Sequence, residues 1–203
     1  MTYARRAAVY LNLSPGRLPI ERGSPNRAGG SLGREFGQIA LGQATWFKSM
    51  KTFTLQKQIW LPRPLPDVFR FFADAANLEV LTPPWLSFHI VTPRPIEMKT
   101  GTRIDYKLRV HGIPVRWQSE ITVWSPPERF VDEQRRGPYR LWIHEHKFRT
   151  SNGGTIVEDL VHYAVWGGEL INGLMVSPDL KKIFDYRHRK LVEITGVALD
   201  SKE

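Results

Sequence analysis

The chain has 203 residues, enough for one well-buried domain, and 41% of them are hydrophobic. It contains no cysteine, which excludes disulfides, thiolate nucleophiles and cysteine-ligated metals. Its formal charge is +9, but residues 1–49 hold seven basic and two acidic side chains, so residues 50–203, with 22 and 18, carry an excess of only four. This distribution gives little support for nucleic-acid binding.

The compartment is expected to be the reducing cytoplasm, as the lack of cysteine suggests. No apolar run approaches the roughly 18 residues of a membrane span.

Residues 12–43 are dominated by Gly, Pro, Ser, Asn, Arg and Gln without helical or strand periodicity, so residues 1–49 are predicted to be a disordered basic extension. Met50, just before the first strand-like run, is an alternative translation start, and a basic targeting arm is another interpretation. One domain is expected over residues 50–198, followed by a tail over 199–203.

A strand and two short helices are predicted at the start of this domain. Residues 51–60 form the first convincing strand, and the prolines that follow it stop the strand and open a helix at residue 65. Apolar residues at Leu65, Val68 and Phe72 have the spacing of a buried helical face. Asn77 is expected to cap the second helix.

Six further strands are predicted from residue 85 onward, because turn-forming residues divide the chain at regular intervals. The turns lie at residues 93–101, 111–114, 125–127 and 137–138. Between them apolar and polar side chains alternate, as expected for an antiparallel meander with one apolar face.

A long helix is predicted to close the domain. Ser177, Pro178 and Asp179 supply a cap, a first-turn proline and an early acid. The apolar face of the helix would be formed by Leu180, Ile183, Phe184, Leu191 and Ile194, and Arg187 lies among them. This face is expected to lie across the apolar face of the sheet.

The turn at Asn152-Gly153 fixes the register of the last two strands. Asn-Gly is the strongest short-range signal for a two-residue type I′ hairpin, which places Ser151 opposite Gly154. Counting outward along one face gives the pairs Phe148 with Val157, His146 with Asp159, His144 with Val161, and Trp142 with Tyr163. An aromatic face that also carries two histidines and a carboxylate suggests a pocket.

This order of elements resembles the helix-grip fold of the START and pollen-allergen superfamily, called SRPBCC, over residues 51–195. The blocks that carry the likeness are residues 81–85, 124–134, 137–148 and 183–187, which are similar to bacterial ligand-binding SRPBCC proteins related to the polyketide cyclase/dehydrase group. The resemblance implies an α+β fold, with a curved antiparallel sheet of about seven strands wrapped on a long C-terminal helix. It implies a function only coarsely, because its members bind lipids, polyketides, hormones or partner proteins.

The two histidines and Asp159 allow three interpretations. His144 and His146 project to the same side of a strand, so with Asp159 they match the ligand types of zinc or non-haem iron. Asp159 is expected to face His146 directly, however, which suits a hydrogen bond better than coordination, so no metal or other cofactor is expected. His146 and Asp159 could instead act as an acid–base pair with a raised imidazole pKa. They could also simply satisfy each other in a buried network.

Arg187 and the aromatic face complete the candidate site. Arg187 needs an anionic partner, which could be Asp159, Asp132 or Glu145, or it could extend into a cavity and hold a ligand oxygen. The side chains expected to contact a ligand are Tyr106, Trp117, Ser119, Trp142, His144, Phe148, Tyr163, Phe184 and Arg187. The alternative for the aromatic residues is ordinary core packing.

The predicted function is binding of a hydrophobic or aromatic small molecule, lipid- or polyketide-like, between the sheet and the last helix. One alternative is a cyclase, dehydratase or isomerase that uses His146 and Asp159. A second is a protein-interaction module, which would require a filled interior. The ligand and the oligomeric state do not follow from the sequence.

We predict that residues 1–49 contribute nothing to the core, because their composition cannot bury apolar surface. A chain that begins at Met50 should therefore match the full chain in thermal midpoint within error, measured by circular dichroism. A loss of several degrees would contradict the prediction.

Overall fold

The structure, a computed structural model, describes residues 50–195. The predicted extension over residues 1–49 and the predicted tail over 199–203 lie outside the described residues. Seven antiparallel strands form one sheet, in the order β1-β7-β6-β5-β4-β3-β2. The strands are β1 (Phe53–Leu61), β2 (His89–Ile90), β3 (Arg103–Val110), β4 (Ile113–Ser125), β5 (Arg129–Arg136), β6 (Leu141–Ser151) and β7 (Gly154–Ala164). The predicted α+β helix-grip architecture is confirmed.

The hairpin between β6 and β7 has the predicted register. Ser151 pairs with Gly154, His146 with Asp159 and His144 with Val161. Asn152 and Gly153 both have positive φ, 48° and 73°, as the two central positions of a type I′ turn require. The side chains of His144, His146 and Asp159 therefore share the inner face of the sheet.

Helix α1 (Leu65–Phe72) follows β1 and buries Val68, Phe69 and Phe72. Pro64 stands at its N-cap, where its missing N–H costs nothing. Helix α2 (Leu78–Leu81) is a single turn. The expected cap at Asn77 is not made, because its buried side chain donates to the Phe71 carbonyl instead. Asn77 is the last residue of a 3₁₀ turn that precedes α2. At the start of that turn, the Asp74 side chain accepts a hydrogen bond from the Ala76 N–H.

Helix α3 is longer than predicted, because it starts at Gly168 and not at Ser177. It comprises an α-helical turn (Gly168–Ile171), a π-helical segment (Asn172–Val176) and a long α-helix (Ser177–Thr195), 28 residues in all. Ser177 has helical dihedral angles, so it is no cap. The π segment precedes Pro178, where an ordinary helix would lose a hydrogen bond and meet the proline ring.

One core cluster joins the helices to the inner face of the sheet. Leu180, Phe184 and Leu191 of α3 are buried in the same cluster as Phe69 of α1 and Val161 of β7. Arg187 is 9% exposed and lies on this buried stripe of α3. Among residues 50–195, no helix is both long and apolar enough to cross a membrane.

Candidate functional site

A cavity of about 590 Å³ lies between the inner face of the sheet, the α1–α2 segment and α3. Most of its lining is aliphatic or aromatic, with contributions such as Leu81 of α2, Leu108 of β3 and Ile183 of α3. Two of the lining side chains, Trp85 and Trp166, are 54% and 68% exposed, so the cavity reaches the surface there. The volume falls within the range of sites that enclose small organic molecules.

Most of the side chains predicted to contact a ligand line this cavity. They are Tyr106, Trp117, Ser119, Trp142, His144, Phe184 and Arg187. His146 lines it as well. Asp159 is completely buried behind the two histidines and does not line it.

Phe148 and Tyr163 are corrections to the predicted lining. Both occupy the inner face, as the register requires, but helices cover the two ends of that face. Phe148 packs against Phe72 of α1, with ring centroids 4.6 Å apart. The Tyr163 hydroxyl donates to Asn172 Oδ1 of α3 at 3.0 Å. These two residues belong to the core, and only the middle of the face is left to the cavity.

The middle of the face carries a buried polar cluster. The imidazoles of His144 and His146 lie with ring centroids 4.0 Å apart. His144 Nε2 lies 2.7 Å from Asp159 Oδ1, and His146 Nε2 lies 3.2 Å from Asp132 Oδ2, both within hydrogen-bond distance. The predicted neighbours His146 and Asp159 are in contact, with Nδ1 and Oδ1 3.2 Å apart. The shorter contact with Asp159 nevertheless comes from His144, its diagonal neighbour across the strand pair.

Asp132 of β5 was not predicted to join the histidines. It lies directly opposite His144 in the β5–β6 pairing. Its Oδ1 accepts a hydrogen bond from the Ser119 hydroxyl at 3.2 Å, and Ser119 Oγ accepts one from Trp117 Nε1 at 3.0 Å. A polar chain therefore runs from Trp117 through Ser119 and Asp132 to His146.

Burial dominates the protonation equilibria of the cluster. It lowers the pKa of His144 and His146 well below the usual imidazole value, and the charge of Arg187 lowers both further. It raises the pKa of Asp132 and Asp159. The expectation that Asp159 would raise the pKa of His146 is wrong in direction, because the cost of charging a buried ring dominates.

Arg187 brings a positive charge to the same region. Burial lowers its pKa to about 10, while the charges of Asp159 and Asp132 act in the opposite direction. Its guanidinium carbon lies 5.8 Å from the centre of the Phe184 ring. Glu145 is excluded as the predicted partner, because it lies on the outer face with Arg129 and Lys147. Of the predicted partners, Asp159 and Asp132 remain, and their negative charges stabilise the positive charge of Arg187.

The rim of the cavity is held by a polar contact between two elements. His111, in the turn between β3 and β4, pairs through Nε2 with Asp179 Oδ2 of α3. Both residues line the cavity. The pair links the edge of the sheet to the closing helix at the surface.

A family model described as "Polyketide cyclase / dehydrase and lipid transport" matches residues 61–187. Among solved structures, a protein from Thermus thermophilus is 19% identical over 73% of this chain and 100% of its own, with a TM-score of 0.55. A Chromobacterium violaceum protein is 14% identical, covering 71% and 98%, with a TM-score of 0.57.

Plant proteins share the fold as well. The major latex-like protein 151 of Panax ginseng is 11% identical over 71% of this chain and 97% of its own, with a TM-score of 0.54. No curated protein sequence matches the chain. At these identities the solved structures establish the fold alone, which agrees with the predicted SRPBCC resemblance.

We expect His144 and His146 to stay neutral at pH 6.5, where an ordinary histidine is half protonated. In Arg187→Met the pKa of both rings should rise, because the positive charge that opposes their protonation is removed. Titration of the imidazole carbon-bound protons by NMR measures both effects. A His146 pKa that does not change in Arg187→Met would contradict this account of the cluster.

Proposed function

We propose that this chain, which belongs to the polyketide cyclase / dehydrase and lipid transport family, binds an apolar or aromatic small molecule in its interior cavity. The supporting observation is a cavity of about 590 Å³ whose lining is mainly apolar and holds one buried polar cluster. Such a site takes up a ligand by burying its apolar surface and orients it through a few polar groups. The interaction-module alternative required a filled interior, and this cavity does not meet that condition.

The aromatic lining favours a ligand with a planar or unsaturated part. Trp117 and Trp142 meet edge to face, with ring centroids 5.4 Å apart and planes at 89°. Tyr139 packs against both, at 5.5 Å from Trp117 and 4.7 Å from Trp142. Such a wall offers large rigid contact surfaces at a small entropic cost, because aromatic side chains have few rotatable bonds.

The polar cluster favours a ligand with an oxygen at one end. Arg187 supplies hydrogen-bond donors, while Asp132 and the imidazoles supply acceptors. Burial raises the pKa of Tyr106, which therefore keeps its proton and can donate to a carbonyl. A hydroxyl, carbonyl or carboxylate would replace the water that such groups otherwise need. The proposed ligand is therefore amphipathic, with an apolar body and an oxygen-bearing end.

Binding should quench or shift the fluorescence of Trp117 and Trp142 in a saturable manner. The probes are a fatty acid, a flavonoid-like aromatic compound and a hydrophobic carboxylate. Val115→Phe places a larger side chain in the cavity and should therefore lower the affinity for the best-binding probe by about tenfold or more. The matched control is Ile113→Phe on the same strand, where the side chain is 67% exposed and outside the lining. Equal affinity in the two variants would contradict the assignment of the site.

A second candidate function is proton transfer to the bound molecule through His146. Its imidazole lines the cavity, and its Nδ1 lies 3.2 Å from the buried Asp159 Oδ1. A buried carboxylate behind an imidazole fixes its tautomer and orientation, and a lowered pKa keeps the ring in the basic form at neutral pH. The reaction class would be proton abstraction next to a carbonyl, as in a cyclase, dehydratase or isomerase.

This second function is tested with an aryl β-diketone such as benzoylacetone, whose central carbon exchanges protons with D₂O. Wild-type protein should accelerate the exchange observed by NMR, and His146→Gln should abolish that acceleration while fluorescence titration still shows binding. His162→Gln, on the exposed face of β7, is the control. Exchange that is unchanged in His146→Gln would overturn the proposal.

A further inference from the structure

We propose that Asp132, His144 and His146 form a three-ligand site for a divalent transition-metal ion, with Asp159 holding both imidazoles from behind. The proposal departs from the sequence-based expectation of no metal. It also goes beyond the proposed function, because metal binding can be measured without any organic ligand. The ligand set differs from the one considered from the sequence, since Asp132 takes the place of Asp159.

Two of the three donor-atom separations match a coordination shell. One oxygen or nitrogen from each of the three residues lies within 4.8 Å of the other two. Asp132 Oδ2 is 3.2 Å from His146 Nε2 and 3.5 Å from His144 Nδ1. Ligands at about 2.1 Å from a zinc-like ion stand about 3.0 to 3.5 Å from one another. The two distances therefore match the edges of a tetrahedral or octahedral shell.

The opposite nitrogen of each ring contacts the same buried carboxylate. His144 Nε2 and His146 Nδ1 lie 2.7 Å and 3.2 Å from Asp159 Oδ1. Metal-binding histidines almost always donate their second N–H to a carboxylate, carbonyl or water, which fixes the tautomer that coordinates. Asp159 would do this for both rings at once, and its complete burial suits a group that orients ligands without coordinating the ion.

The third ligand is oriented in the same way. Ser119 donates its hydroxyl proton to Asp132 Oδ1 at 3.2 Å, since its own oxygen already accepts from Trp117 Nε1. This leaves Asp132 Oδ2 as the oxygen that faces the imidazoles. All three ligands therefore have an outer partner of the kind that metal sites use.

The ring tautomers that suit coordination follow from these contacts. A neutral imidazole has one N–H group and one lone pair. With the N–H groups of His144 Nε2 and His146 Nδ1 both directed to Asp159 Oδ1, both lone pairs face Asp132 Oδ2. His146 Nε2, which lies within hydrogen-bond distance of Asp132 Oδ2, would in this tautomer be a ligand to a cation held between the three groups.

Charge and chemistry define the class of ion. With both carboxyl groups ionised, the negative charges of Asp132 and Asp159 outnumber the single positive charge of Arg187, so a bound cation would balance the cluster. Two imidazoles and one carboxylate are ligands for zinc or ferrous iron, and hard ions such as magnesium prefer oxygen. All three ligands line the cavity, so the remaining coordination positions would face a bound molecule. A ligand oxygen could occupy one of them.

The test uses the full chain, purified without a histidine tag and treated with a chelator. Calorimetric titration with Zn²⁺ should give one ion per chain, and Co²⁺ should produce a visible absorption band that Zn²⁺ displaces. Asp159→Asn should weaken binding by about 10- to 100-fold. Asp132→Asn and His146→Gln should each weaken it further, because they remove ligands. The chain has six histidines, and His162 is exposed and is not one of the proposed ligands. His162→Gln is therefore the control and should bind the metal ion like wild type.

Circular dichroism shows whether each variant is folded. If Asp132→Asn does not fold, the ligands of the bound ion are identified from the X-ray absorption spectrum of the zinc-loaded wild type. Coordination of zinc by two imidazoles and oxygen donors would support the site. Absence of a bound equivalent, unchanged affinity in folded Asp132→Asn, or loss of binding in His162→Gln would overturn the proposal. Fluorescence titration with the organic probes, run without metal, shows separately whether the cavity binds them, so failure of one proposal does not imply failure of the other.

Discussion

The β6–β7 hairpin is the constraint on which the site depends. A two-residue turn at Asn152-Gly153 allows one register, and a shift by one residue would move every inward side chain to the solvent face. In the observed register the inner face carries His144, His146 and Asp159 side by side. The rest of the sheet and α3 then enclose these groups, so that their protons, charges and hydrogen bonds are set by burial.

Two features of the site follow from the sequence and two do not. The Asn-Gly turn predicts the β6–β7 register because its geometry allows only one pairing, and the apolar stripe of α3 predicts the inward position of Arg187. Asp132 was missed as a partner of the histidines because the four-residue connection between β5 and β6, unlike the Asn-Gly turn, does not predict a single register for that strand pair. Phe148 and Tyr163 were wrongly predicted to line the cavity. The alternation of side chains along a strand identifies the inner face of the sheet, but the position of the covering helices decides which part of that face borders the cavity.

The start of α3 shows a similar limit. Ser177, Pro178 and Asp179 have the local chemistry of a helix start, yet the chain is already helical before them. The π-helical segment at Asn172–Val176 adds a residue to one turn, which relieves the conflict with the Pro178 ring. Asn172 is also where Tyr163 of β7 is anchored to the helix, at 3.0 Å. In α3, tertiary packing thus adds helical residues before Ser177, although the local sequence predicts that the helix begins there.

The polar cluster is costly for the fold, and its composition argues for a functional purpose. A buried arginine, two carboxylates and two imidazoles could be replaced by apolar side chains of similar volume, and such replacements are often neutral or stabilising. Burial opposes the charged form of the carboxyl groups, the imidazoles and the guanidinium alike, and shifts the pKa of each accordingly. This cost is accounted for if the cluster binds a ligand group or a cation, as proposed above. The cavity beside the cluster leads to the surface at Trp85 and Trp166, and so provides a path by which that group can arrive.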